Sequence, residues 1–169
     1  MPSKQNFYIF IGHDYFRPLK ASYRRMIERA LSISSSELRC NLLPIYGDTH
    51  LTKTIATGMS IRKIVISEEN YCYYWPRIIS YIKLSDLAIM DLRPFSAPRE
   101  PVNWNVLLEL GVSYNFTSSH IILTKSRAFL KKRLSNLAGV QIDKPPRGNI
   151  IEFLSTLITS RLAGKIGKL

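Results

Sequence analysis

Short apolar runs alternate with longer segments of helical periodicity along most of this chain, and that alternation limits its possible folds more than any other feature. NFYIFIG at 6–12 is typical of a buried strand, whereas the apolar residues of 17–33 recur at helical spacing. The pattern predicts further strands at 39–48, 86–92, 119–125 and 140–143, and further helices at 73–85, 103–115, 127–139 and 148–164. The segment 49–70 is ambiguous between a strand and an inserted excursion.

Strands that alternate with helices in this way predict an α/β fold, in which helices cover both faces of a parallel sheet. We therefore predict a three-layer, doubly wound, mainly parallel five-stranded sheet in the flavodoxin-like order 2-1-3-4-5. The length of 169 residues fits a single domain, 1–169. In such a sheet, ligands bind at the switch point, which is the place where the strand order reverses. The loops at 12–18 and 91–102, which we call the switch-point loops, are therefore the expected site.

The composition excludes several classes of protein. It is 46% hydrophobic and 21% charged, as in ordinary globular domains. No apolar run reaches the roughly 20 residues that span a bilayer, and the N-terminus lacks the features of a signal peptide. Two cysteines and three histidines without ligand-like spacing predict neither a disulfide framework nor a metal site. We expect a cytoplasmic protein with no membrane segment, no metal and no resident cofactor.

The net charge of +12 is the extreme value of this sequence. Its C-terminal part, from residue 125 onward, has ten Lys and Arg residues against two acids and therefore carries +8. Such a charge favours nucleic acid, acidic partners or phosphorylated ligands, although a solvated basic surface gives the same composition. No nucleic-acid-binding motif accompanies it.

The helix predicted at 103–115, NWNVLLELGVSYN, has an unusual distribution of polar residues. Asn103 is a plausible N-cap. At about 100° per residue, Asn105, Glu109 and Ser113 fall on one line, and most other positions are apolar or small. A helix that is apolar nearly all round is expected to be buried. The polar line is then either a narrow solvent edge or a stripe that faces a cavity at the switch point.

This helix and the strand before it resemble the signature of the nucleoside 2-deoxyribosyltransferase-like and TIR-like families. Those families typically pair an apolar strand ending in Asp, a loop, and a helix reading N-x-x-x-E-L-G. Here SDLAIMDLRPF supplies the strand with Asp91, and the helix supplies Asn105 to Gly111. The similarity covers about residues 71–125, whereas 40–70 and the basic tail match no part of the pattern. The resemblance implies an N-glycosidic-bond enzyme, a hydrolase or transferase, acting on a nucleoside, a nucleotide or NAD as substrate.

In those families the matching glutamate attacks the anomeric carbon or stabilises positive charge on it, so the resemblance implies that Glu109 is the catalytic residue. Cleavage of a C–N glycosidic bond builds oxocarbenium character on the sugar, which a nearby carboxylate can stabilise or trap covalently. Apolar surroundings strengthen that interaction but also favour the neutral acid. We therefore expect Asn105 or a substrate hydroxyl to hydrogen-bond Glu109 and keep it ionised.

The other candidate substrate-binding residues lie on the two switch-point loops. Gly12 would let the backbone approach a ligand closely, while His13 and Asp14 could contact the base or donate a proton. Asp91 could hold a ribose hydroxyl or orient the leaving base, although a strand-end Asp also commonly accepts N–H groups of the following turn. Arg93 could meet a phosphate, which favours a nucleotide or dinucleotide over a free nucleoside.

Other functions stay open. A non-catalytic nucleotide-sensing or signalling module would share this fold, and the charge alone allows a nucleic-acid-binding protein. A receiver-like phosphorylation module would use Asp14, Asp91, Thr124 and Lys144, but the first strand ends beside one acid where two usually hold magnesium. A homo-oligomer is also possible.

Overall fold

The computed structural model of the chain describes residues 4–14, 17–47, 74–117, 119–125, 127–133, 141–146 and 148–166. The ambiguous segment 49–70, the expected helix end at 134–139 and the first residue of the expected last strand, Val140, lie outside the described residues.

The described strands form one parallel sheet in the order β2-β1-β3-β4. Their bounds are Asn6–Gly12 for β1, Asn41–Tyr46 for β2, Leu87–Asp91 for β3 and His120–Leu123 for β4. β1 and β3 are buried almost throughout, because helices cover both faces of the sheet, which explains their continuous apolar runs. Pro44 lies in β2, at the edge of the described sheet, as its missing N–H requires.

In the described ranges, five helices flank the sheet. They are α1 (Arg17–Leu38), α2 (Tyr74–Leu84), α3 (Trp104–Ser113), α4 (Arg127–Arg133) and α5 (Ile150–Ala163). α1 and α5 pack against each other on one face, and α2 and α3 pack together on the other. Among the described residues, none of these helices combines the length and apolarity that crossing a bilayer requires.

Helix α1 continues five residues beyond its predicted end at 33, through a run of serines that have low helix propensity. Ser34 is fully buried, and its hydroxyl donates to the carbonyl of Ser155 on α5 at 3.0 Å. Packing against α5 therefore extends the helix where local propensity would have ended it. Arg39 then ends the helix with a φ of 53°.

The sheet confirms the predicted α/β class and parallel arrangement, and its order matches the first four positions of a flavodoxin-like sheet. The predicted fifth strand at 140–143 is wrong. Among the described residues, that segment forms a single parallel bridge between Asp143 and Leu123 of β4. The backbone N–H of Asp143 donates to the Ile122 carbonyl at 2.7 Å, and the backbone carbonyl of Asp143 accepts from Thr124 N–H at 3.1 Å. Lys144 is followed at once by Pro145 and Pro146, which have no N–H to extend a ladder, so the pairing ends at this bridge.

Candidate functional site

The carboxyl ends of β1 and β3 meet at one edge of the sheet, where the strand order reverses. Gly12 is in register with Met90, so the loops that follow the two strands start side by side. Asp14 joins them, because one of its carboxylate oxygens, Oδ2, accepts from both the backbone N–H and the hydroxyl of Ser96, each at 2.6 Å. The two loops expected to form the site are therefore physically connected. The sequence reasoning missed Ser96, whose partner is 82 positions away in the chain.

Glu109 lies on α3 with 2% of its surface exposed, close to the end of β1. A Cβ built on Gly12 would come within 2.8 Å of Glu109 Oε2 and within 3.2 Å of Val106 Cγ1. The absence of a side chain at Gly12 thus lets a carboxylate lie directly over the strand end. Burying an ionisable group is costly, so this placement marks the edge as a candidate site.

Helix α3 itself differs from the expectation that it is buried nearly all round. Trp104 and Leu108 are 54% and 55% exposed, and Asn105 is also exposed. Ser113 is buried, but its hydroxyl donates to the Leu110 carbonyl at 2.7 Å. The three residues of the predicted polar stripe therefore have three different environments.

Asp91 is fully buried and is held by Arg93. Nε of Arg93 donates to Oδ1 of Asp91 at 2.7 Å, and Nη2 donates to Oδ2 at 2.5 Å. The backbone N–H of Arg93 also donates to Oδ1 at 3.1 Å, which is the turn contact that a strand-end Asp commonly makes. Burial disfavours the charge on Arg93, but the hydrogen bonds and negative charge of Asp91 outweigh it and raise the Arg93 pKa. A ligand hydroxyl or phosphate reaching either residue would have to compete with this ion pair.

Next to the ion pair lies an aromatic cluster that includes Tyr23, one of the apolar residues that recur at helical spacing in α1. The His13 ring stacks on Tyr23 with centroids 4.4 Å apart, and Phe95 meets Tyr23 edge-on at 6.2 Å. His13 Nδ1 lies 2.8 Å from the Asp14 carbonyl, so that nitrogen carries the proton. Burial and then the charge of Asp91 raise the Tyr23 pKa well above its usual value, so this side chain is a neutral phenol.

A cavity of about 290 Å³ opens beside this cluster. It lies between α1, the two switch-point loops and the start of α5. The described residues lining it are Asp14, Ser22, Tyr23, Met26, Arg93, Phe95 and Ile150. The set combines aromatic and aliphatic surface with one carboxylate and one guanidinium, a composition typical of small-molecule pockets.

The cavity and Glu109 lie on opposite faces of the sheet. Tyr23 packs in the same core cluster as Ile11 and Ile89, on the α1–α5 face. Val106, which neighbours Glu109, packs with Met90 on the α2–α3 face. Glu109 does not line the cavity. The structure therefore gathers Gly12, His13, Asp14, Asp91, Arg93 and Glu109 at one edge of the sheet, divides them between its faces, and leaves Asn105 exposed.

In the part of the chain that the structure describes, no three His, Cys, Asp or Glu side chains are grouped as a metal site would require. Comparison of the chain with protein-family models, curated proteins and solved structures found no match. The geometry of this edge, together with the motif that contains Glu109, is therefore the basis for a functional proposal.

Proposed function

We propose that this chain is an N-glycosidic-bond enzyme, a hydrolase or transferase of flavodoxin-like fold, that acts on a nucleoside, nucleotide or NAD with Glu109 as its catalytic carboxylate. One observation carries the proposal: Glu109 is buried directly over Gly12 at the carboxyl end of β1. In doubly wound folds, ligands usually bind at the switch point of the sheet. Buried ionisable groups also cluster at functional sites.

The chemistry suits a carboxylate in these surroundings. Loss of the base leaves positive charge on the sugar ring, and a carboxylate in a region of low dielectric stabilises that charge more strongly than one in water. Val106 on α3 and Met90 on β3 lie within van der Waals range of the same strand end and supply the apolar surroundings. Gly12, which has no side chain, leaves room there for the carboxylate.

The ion pair changes the roles proposed for the neighbouring residues. Because Arg93 already binds both oxygens of Asp91, we assign the pair to shaping the loop after β3. Asp14 fixes the same loop through Ser96. Together they hold the edge rigid, which positions a substrate for attack.

The test is incubation of the protein with nucleosides, deoxynucleoside monophosphates and NAD, with released base measured by chromatography. Glu109→Gln should lower the rate by about 10²-fold or more, because the amide cannot stabilise the cationic sugar. Glu100→Gln is the matched control: Glu100 is exposed on the preceding loop, and the wild-type rate should be retained. The proposal fails if the wild type releases no base, or if Glu109→Gln is fully active.

A non-catalytic nucleotide-sensing module is the second candidate, and the position of the cavity favours it. Glu109 does not line the 290 Å³ cavity, so a ligand confined there would not meet the carboxylate. A sensor would bind its ligand with similar affinity in the wild type and in Glu109→Gln, and neither protein would release base.

A further inference from the structure

The cavity on the α1–α5 face has a lining that restricts the chemistry of its ligand. Tyr23 and Phe95 contribute aromatic rings, and Met26 and Ile150 contribute aliphatic and thioether surface. Apolar surface of this kind favours a ligand with an apolar ring, which gains burial and a contact with the thioether. One face of Tyr23 already stacks on His13, and the Phe95 ring already carries the Arg93 guanidinium at 5.0 Å. The volume of about 290 Å³ fits a single heterocycle or a nucleoside and is small for a dinucleotide.

The polar groups of the lining offer both kinds of hydrogen bond. Asp14 contributes a carboxylate whose Oδ2 already accepts from Ser96, and a carboxylate has two acceptor oxygens, so it can also accept from an N–H of a ligand. Arg93 has five N–H groups, and its two side-chain hydrogen bonds to Asp91 use two of them, leaving three. A carbonyl of the ligand can therefore be held by Arg93 while an adjacent N–H is held by Asp14.

The charges around the cavity disfavour an anion. The positive charge of Arg93 is matched by the buried Asp91, and Asp14 places a carboxylate in the lining. An anionic ligand would therefore meet a negative charge. Tyr23 remains an uncharged phenol, because its burial disfavours the phenolate. A neutral molecule meets no such repulsion.

We propose that this cavity binds a neutral, planar heterocycle carrying a C=O beside an N–H, such as a free nucleobase. The site lies on the face of the sheet opposite Glu109, so the proposal does not rest on the catalytic role of that residue. If the chain releases a base from its substrate, this cavity binds the same class of molecule as that product. The fraction of cavities occupied would then rise with the concentration of released base.

Ligand-observed NMR of the full chain with uracil and hypoxanthine tests the proposal. We expect dissociation constants on the order of 0.1–1 mM, as befits ligands of this size. 1,3-Dimethyluracil keeps the ring and both carbonyls but lacks N–H donors, so it should bind about 10-fold more weakly or worse. Inorganic phosphate should not compete.

Two exposed neighbours on α1 give a matched pair of variants. Ser22 lines the cavity and Ala21 does not. Ser22→Trp should block the mouth and abolish binding, whereas Ala21→Trp should bind uracil like the wild type. Asp14→Asn, checked for folding by circular dichroism, should weaken uracil binding by about 10-fold because a charged acceptor is lost.

The outcomes separate this proposal from the enzymatic one. Absence of binding by both bases at about 10 mM, far above the expected constants, overturns the ligand site whatever the enzyme assay shows. Equal binding by Ser22→Trp and the wild type overturns it too. Uracil binding that survives Glu109→Gln supports the site, and it does so even if no substrate releases base.

Discussion

The Glu109 carboxylate lies so close to Gly12 that a methyl group on Gly12 would come within 2.8 Å of Oε2. The same methyl would also lie 2.8 Å from Met90 Sδ. Real Cβ atoms essentially never approach other heavy atoms this closely, so the Glu109 carboxylate occupies its position only because residue 12 has no side chain. The relationship places a titratable group of α3 at the end of the central strand β1.

Gly12→Ala should lower the free energy of unfolding by about 1–3 kcal/mol, the usual cost of inserting a methyl into a packed interior. Both contacts are side-chain atoms, but Glu109 and Met90 are buried, so each must move within a packed interior. Chemical denaturation measures the change. In the double variant Gly12→Ala/Glu109→Ala the two effects should not add, because removing the carboxylate relieves part of the clash.

Gly111→Ala is the control for this substitution. Gly111 is exposed on α3, and a Cβ there would meet nothing within 4 Å. Alanine should raise stability by about 0.5–1 kcal/mol, through helix propensity alone. A similar loss of stability in both glycine variants would contradict the close packing of Glu109 on Gly12.

Arg93→Met should destabilise the protein by about 3 kcal/mol, because it leaves the fully buried Asp91 carboxylate without its charged partner. Adding Asp91→Asn should recover much of that loss, since the amide removes the uncompensated charge. Denaturant titrations of the single and double variants measure the coupling. Arg99→Met, on the exposed part of the same loop, should change stability by less than about 0.5 kcal/mol. Additive single and double effects would count against the ion pair.

Leu108 and Leu110 provide a direct test of which side of α3 faces the sheet. Leu110 is buried, and Leu110→Ala should cost about 2–4 kcal/mol. Leu108 is more than half exposed, and Leu108→Ala should cost less than about 0.5 kcal/mol. Thermal or chemical unfolding of the two variants checks this. Comparable losses would mean that α3 is buried on both sides, as the sequence pattern had suggested.

His120 should make stability depend on pH below neutrality. Its Nε2 lies 2.9 Å from Ser113 Oγ, and because the Ser113 hydroxyl donates to the Leu110 carbonyl, Nε2 is the donor of this contact. Tyr114 stacks on the ring at 4.5 Å. Burial chiefly, and the nearby charges of Lys165 and Arg161, lower its pKa below 6.5, although the contact with Ser113 opposes them. The folded state therefore binds its proton less tightly than the unfolded state. The stability contributed by neutral His120 is present above pH 6.5 and is lost as the pH falls toward and below the lowered value.

His120→Gln keeps a donor for Ser113 but cannot titrate. Denaturation at pH 7.5 and pH 5.5 should show a smaller loss of stability in this variant than in the wild type. The two proteins should be closest in pH response above neutrality, where the histidine is already neutral. An identical response to acid in both would exclude His120 as the titrating group.

Local patterns in the sequence predicted most of the secondary structure. β1 has the predicted bounds, and β3 differs from its prediction by one residue at each end. α2 ends one residue before its predicted end, and Asn103 caps α3 by accepting from Val106 N–H at 3.2 Å. Spacing and capping act between residues a few positions apart, so they can be read without knowing the fold. The alternation of these elements then predicted the parallel sheet and the end of that sheet at which the two loops meet.

Contacts between distant residues decided the rest. The motif identified Glu109, but periodicity did not predict that this carboxylate would be buried while Trp104 and Leu108 on the same helix are exposed, because that choice depends on the space that Gly12 leaves beside β1. Likewise, α1 extends through Ser34 because the Ser155 carbonyl on α5 accepts its hydroxyl. The segment predicted as the last strand forms a single bridge to β4. Hydrophobic periodicity predicts how much of a helix surface is buried, whereas the shape of the neighbouring sheet decides which side chains of that helix are buried.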